Sequence, residues 1–213
     1  MPKTIKVDAL ASEIMSLLHE YANDVTSDMK KDKNVHYAKL NIDEEGTVTY
    51  DKPKAIPGAV ELSLDAKGDT EEFYADGMIY YTSTANNGYE GDLEIALVPP
   101  SFETDILKNE LDDNKVSVEN SNTESAEFAL LFEFDGDAKA VKHVLYRCKA
   151  SRPSMASKTN EDKKEVQTEK LSIKASPLAN GNVKTKTTTS TSDEIRNKWY
   201  DAVYIPVKTG AAG

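Results

Sequence analysis

The chain has 213 residues, 38% hydrophobic and 30% charged, with a formal net charge of −11; that suffices for one domain with a real core, at an apolar content below the roughly 45–50% of an average globular protein. Mean hydropathy is −0.57, and no stretch approaches the roughly 18–20 continuous apolar residues of a bilayer span, so membrane insertion is excluded. The opening MPKTIKVDALASEI lacks a signal peptide's apolar run, and the single cysteine, Cys148, excludes an internal disulfide or a thiolate-rich metal site, so export and a disulfide scaffold are not expected.

In chain order, residues 8–29 form the long helical signal: Leu10, Ile14, Leu17, Leu18, Tyr21, Val25 and Met29 recur at three- and four-residue spacing, with Asp8 placed to cap and Lys30 and Lys31 at the negative end of the helix dipole. Strand-like runs follow at 35–40, 47–51, 59–66, 71–75, 92–98, 127–134, 141–150, 165–175, 182–192 and 202–206. Turn chemistry separates many of them: DEEG at 43–46, PG at 57–58, NNG at 86–88, FDGD at 134–137 and ANG at 179–181. Regular short strands predict an antiparallel β-sandwich or barrel. Two short helices interrupt the pattern. One is 101–111, with Ser101 as N-cap and Phe102, Ile106 and Leu107 packing on a sheet face as a lid; the other is 192–200, started by Ser192 or Asp193, with Ile195 and Trp199 four apart. The polar segments 76–90 and 150–164 read as long loops or extended hairpins of the kind that order on a partner.

No constellation carries chemistry. His19, His36 and His143 lie on separate elements without metal-ligand spacing, and the nucleophile-elbow, P-loop and dinucleotide fingerprints are absent. The expectation is no enzyme, no metal and no cofactor. Cys148, within YRCKA, reads as a buried structural thiol, and Asp135 and Asp137 flank a glycine in a hairpin turn rather than a calcium loop. Tyr80, Tyr81 and Tyr89 suit either a carbohydrate platform or a protein interface.

Charge is strongly segregated. Residues 60–137 hold 3 Lys/Arg against 20 Asp/Glu, and residues 138–213 hold 15 against 7. Such a block repels nucleic acid and anionic lipid, and the opposed signs leave two readings open: two solvated faces, or the acidic half of one subunit meeting the basic half of the next.

From residue 33 onward the features resemble, in order, the major tail protein (tail-tube) family of long-tailed bacteriophages. The similarity is carried by NVHYAKL at 34–40, DEEGTVTY at 43–50, PxxIPGAVELSL at 53–64, EEFYADG at 71–77, GYEGDLEIAL at 88–97 and the short helix that follows. The first 32 residues depart from it and resemble the opening helix of a phage neck or tail-completion protein, as in a fusion joined near 31–34. The resemblance implies a helical extension over 1–33, a mainly β tail-tube domain over 34–207 with flanking helices, and a flexible tail over 208–213. It further implies homo-hexameric rings stacked as a tube around a channel through which DNA passes without specific binding. The implied partners are the tape measure, tail terminator and distal tail proteins, and the implied place is the virion tail, assembled in the host cytoplasm, with no membrane. The inter-subunit loops are then expected to use Tyr80, Tyr81, Asn86, Asn87, Tyr89, Arg152, Lys163 and Lys164, with Lys170 and Lys174 aiding subunit contact. Glu90, Asp92 and Glu94 are expected to face the lumen. The alternative is a free carbohydrate-binding or adhesin-like β-sandwich.

Overall fold

In the computed structural model, the described residues are 34–75, 78–134, 141–154 and 168–207, with no side-chain description for 70–75 and 79–83; the expected helix at 8–29, the turn at 135–137 and most of the 150–164 segment lie outside them. Thirteen strands are present among the described residues: β1 (His36–Ile42), β2 (Val48–Tyr50), β3 (Lys54–Ala55), β4 (Ala59–Lys67), β5 (Thr70–Ala75), β6 (Met78–Thr84), β7 (Gly88–Ile95), β8 (Glu110–Leu111), β9 (Ser117–Val118), β10 (Phe128–Glu133), β11 (Lys142–Ala150), β12 (Glu169–Ala175) and β13 (Lys184–Lys186). Nine of them form one sheet with the path β2-β1-β10-β11-β12-β7-β4, to which β3 adds on β1 and β13 on β11. Every described pairing is antiparallel, as the turn-separated runs predict.

The expected barrel is corrected. The path ends at β2 and β4, so the sheet stays open, and no second large sheet makes a sandwich among the described residues. The physical reason is that the central strands are covered by other material. Val35, Tyr37, Phe128, Leu130, Phe132, Leu93, Ile95, Leu171 and Ile173 gather on one face beneath Phe102 and Ile106; Ala38, Leu40, Ala129, Leu131, Val144 and Tyr146 gather on the other beneath Leu178, Trp199 and Val203. With both faces buried, β10 reads FALLF without alternation. A β-bulge keeps the two faces in step: Tyr146 and Arg147 lie opposite Ala129 alone, so Leu145 and Cys148 share one face while Tyr146 reaches the other. Arg147 then pairs with Glu127 at 2.9 Å.

The lid over the first face is shorter than the sequence suggests. A single turn, α1 (Pro100–Phe102), continues as a π-helical turn over Glu103–Leu107, which ends where Lys108 turns left-handed at φ 64°. Pro99 is the N-cap and Ser101 makes no cap bond, a correction to the expected start. Residues 110–111 leave the helix because β8 pairs with β9 across a turn in which the Asp112 carboxylate accepts from the N–H groups of Asn114 and Val116, each at 2.8 Å. The lid's apolar face is as expected, with Phe102 and Ile106 buried and Leu107 packed beside them.

The second helix, α2 (Asp193–Asn197), starts at Ser192, whose Oγ accepts from the Ile195 N–H at 3.5 Å. Trp199 is buried, but its expected companion Ile195 is exposed. Arg196 is buried instead, donating to the carbonyls of Thr188 and Thr191. That guanidinium gathers the Thr-rich run into a turn, so the expected strand 182–192 is confined to β13; the expected strand at 202–206 is instead an unpaired extended segment among the described residues, Tyr204 stacking on Trp199 at 5.5 Å.

The expected loop at 76–90 takes its extended-hairpin form. β4 and β5 run out and β6 and β7 return, joined across the irregular middle by Asn87 N–H to Lys67 O and Ala85 N–H to Asp69 O.

Candidate assembly site

Strand β7 sits between β4 and β12 and sorts its side chains by parity. Leu93 and Ile95 point into the core; Glu90, Asp92 and Glu94 project from the opposite, solvent-facing side. The register sets Glu61 and Asp65 of β4 directly opposite Glu94 and Glu90, while Lys170 and Lys174 of β12 flank the same two carboxylates from the other side. Asp92 accepts from Ser172 Oγ at 2.7 Å and lies 3.7 Å from Lys170 Nζ, and Glu94 accepts from Thr168 Oγ1 at 2.6 Å. Lys67 of β4 adds a third ammonium group, 3.7 Å from Glu90, so five carboxylates against three ammonium groups leave this face acidic. Like charges directly opposite across a ladder destabilise it by up to about 1 kcal/mol, so the Glu61/Glu94 and Asp65/Glu90 pairs do not serve stability.

The two charge blocks of the sequence therefore meet inside one subunit along the β7–β12 ladder, where Asp92 engages Lys170 and the register sets Lys174 beside Glu90. Arg152 likewise pairs within the chain, with Glu119 at 2.7 Å. Of the other expected contact residues, Asn86 and Asn87 are exposed where β6 passes into β7, with Asn86 Oδ1 accepting from the Gly88 N–H at 3.2 Å. Tyr80 and Tyr81 fall on β6, among the side chains outside the description, and Lys163 and Lys164 lie outside the described residues. Tyr89 packs against the core, with Lys184 Nζ 4.3 Å from its ring centroid.

Among the described residues, burial governs the thiol of Cys148 and the phenols of Tyr50 and Tyr146. Cys148 is fully buried and its thiol is pushed up to about 12 by burial, the structural role its sequence context suggests. A cleft of about 240 Å³ is lined by Gly46, Val48, Tyr50, Tyr146, Leu178 and Ile205, but its phenols are occupied: Tyr50 donates to Tyr146 O at 3.0 Å and Tyr146 to Tyr204 O at 2.9 Å. Burial raises both hydroxyls, so neither is a general base near neutral pH. No group of three or more His, Cys, Asp or Glu among the described residues could hold a metal ion, and no described helix is long and apolar enough to cross a membrane.

His143 stacks flat on Phe132 at 5.0 Å, and its buried Nδ1 has no hydrogen-bond partner among the described residues. Burial first, then Lys184 and Lys186, push its pKa from 6.5 down to about 4; burial also lowers that of His36. Between these values the unfolded chain binds a proton at His143 that the folded chain does not. Its contribution is complete above about pH 6.5, shrinks as pH falls toward 4 and levels off below that. Urea midpoints between pH 7 and 4 should thus fall less steeply in His143→Gln than in the parent chain; equal slopes would remove His143 from the acid response.

The sequence reading missed two exposed surfaces. One is the β8–β9 hairpin, signalled only by Leu111, Val116 and Val118 around the polar turn DDNK; the other surrounds Phe134, where residues of β10, β11 and β13 converge.

The sequence matches no protein-family model and no curated protein. Among solved structures, the cap that terminates the tube of the anti-feeding prophage, determined by cryo-EM, is similar to this chain at 10% identity over 72% of this chain and 88% of that one, with a TM-score of 0.41. It is a weak and partial likeness.

Proposed function

We propose that this chain is a non-enzymatic structural subunit of a phage tail that assembles into hexameric rings stacked as a tube, with the β4–β7–β12 face forming part of an acidic wall along which DNA slides. The observation that carries this reading is that face. It keeps like charges opposite one another at a cost in stability, and a wall of carboxylates removes the counterion-release affinity that would make DNA stick. The ordered run of tail-tube features in the sequence supports it independently. So does the edge position of β4, since an edge strand is a template for pairing with a neighbouring chain. The tape measure, tail terminator and distal tail proteins would meet the ends and interior of such a tube. The carbohydrate-module alternative loses support because Tyr89 is taken up by Lys184 and the core instead of standing in an open aromatic platform.

If the acidic wall is kept for transit, neutralising it should help the fold while harming the surface. Glu61→Gln with Asp65→Asn should raise stability by about 0.5–2 kcal/mol, the sum of two relieved pairs. The parent chain should give no filter-binding signal with duplex DNA at physiological salt, and Glu90→Lys/Asp92→Lys/Glu94→Lys should give one that weakens steeply as salt rises. Salt-sensitive duplex binding by the parent chain would refute the acidic-wall reading.

A further inference from the structure

Residues 110–122 are an ordered excursion that buries nothing: every one is exposed, although the β8–β9 turn is held by Asp112 N–H to Val116 O at 3.0 Å and Lys115 N–H to Asp112 O at 2.9 Å. The hairpin is also tied to the lid, through Asn109 N–H to Glu103 O at 3.0 Å. It presents Leu111, Val116 and Val118 at 53%, 57% and 47% exposure. Around them stand Glu110, Asp112 and Asp113 against Lys115, while Glu119 is held by Arg152 at 2.7 Å. A pre-ordered apolar tip with an acidic rim is built to enter an apolar site with a basic rim.

The same chain carries such a site. Phe134 is 47% exposed and packs edge-on against Phe132 and His143, at 5.3 and 5.5 Å. Beside it the register aligns Lys186 with His143 and Lys184 with Leu145, and parity puts both lysines on the side of the sheet from which Phe132 and His143 project. Neither lysine is in a salt bridge among the described residues, although Lys184 Nζ lies 4.3 Å from the Tyr89 ring centroid; Lys170, by contrast, is ion-paired with Asp92 within its own subunit.

We propose that the β8–β9 hairpin of one copy docks on the Phe134–Lys184–Lys186 surface of a second copy of this chain. The two surfaces are different parts of the molecule, so the contact is head-to-tail and propagates around a ring instead of closing a two-fold dimer. This deepens the assembly reading and rests on it. The occupant is protein because the acidic rim repels nucleic acid and anionic lipid.

The test uses full-length chains carrying single substitutions. Val116→Cys and Phe134→Cys variants are mixed at high concentration and treated with a short bismaleimide; Cys148, being fully buried, does not compete. The mixed product, in which a Val116→Cys chain is linked to a Phe134→Cys chain, should exceed either self-linked product at least fivefold. It should fall at least fivefold when Lys184→Glu/Lys186→Glu is added to the Phe134→Cys chain. It should recover when the Val116→Cys chain also carries Glu110→Lys/Asp113→Lys, a pair chosen to leave the turn-forming Asp112 in place. Statistical or self-only linking, or a mixed product indifferent to the charge swap, overturns the proposal. Rings seen by microscopy without the mixed product would refute this contact and spare the assembly reading; the mixed product without rings would do the reverse.

Discussion

Phe102→Ala is expected to lower stability by about 3–5 kcal/mol, the usual cost of deleting a fully buried phenyl ring. Phe102 is 1% exposed and meets Tyr37 and Phe128 edge-to-face, with ring centroids at 5.0 and 5.4 Å. Its helix is too short to stand on its own hydrogen bonds, so the ring is the chief fastening of the lid. The backbone continues directly from the lid into the β8–β9 hairpin, and the loss should spread there. For a chain of this size the melting temperature should drop by roughly 6–20 °C. Scanning calorimetry measures it, and a drop under about 3 °C would mean that the lid is dispensable to the core.

Gly91→Ala should be comparably severe for a different reason. Gly91 is the β7 position flanked by Leu64 of β4 and Ile173 of β12, and a Cβ there would come within 1.9 Å of the Ser63 carbonyl oxygen. That obstacle is backbone, which has no rotamer to yield, so the strands must separate. We expect a loss of about 3 kcal/mol or more, at the upper end of overpacking costs. Amide exchange should quicken first along β4, where the sheet ends. Because the acidic face and the edge are both built on the β4–β7 pair, assembly should be lost even under conditions where the rest of the sheet persists. Unchanged exchange at residues 61–67 would contradict this account of the glycine.

Much of the fold was legible because its signals are local. Gly46 at φ 82° after Asp43, whose carboxylate accepts from Glu45 and Thr47 N–H at 3.0 and 2.7 Å, is what DEEG encodes, and Gly181 at φ 82° closes the ANG turn likewise. What stayed hidden depends on distant partners. The truncation of the Thr-rich strand requires Arg196 to reach back to Thr188 and Thr191, and the early end of the lid requires β9 to compete for residues 110–111. Sheet closure is likewise a property of both edge strands at once. At the candidate site, parity alone puts Glu90, Asp92 and Glu94 on one face, so that row was readable. Its neighbours were not, because only strand order brings Lys170 and Lys174 beside it and leaves Lys184 and Lys186 elsewhere.

The proposed function stands or falls with self-assembly into a channel-bearing tube. Negative-stain electron microscopy of the purified full-length chain across a concentration series tests it most directly. Rings with six-fold symmetry and an open centre are expected, passing into stacked tubes as concentration rises. Uniform monomeric particles at every concentration, or closed two-fold dimers with no central opening, would contradict it.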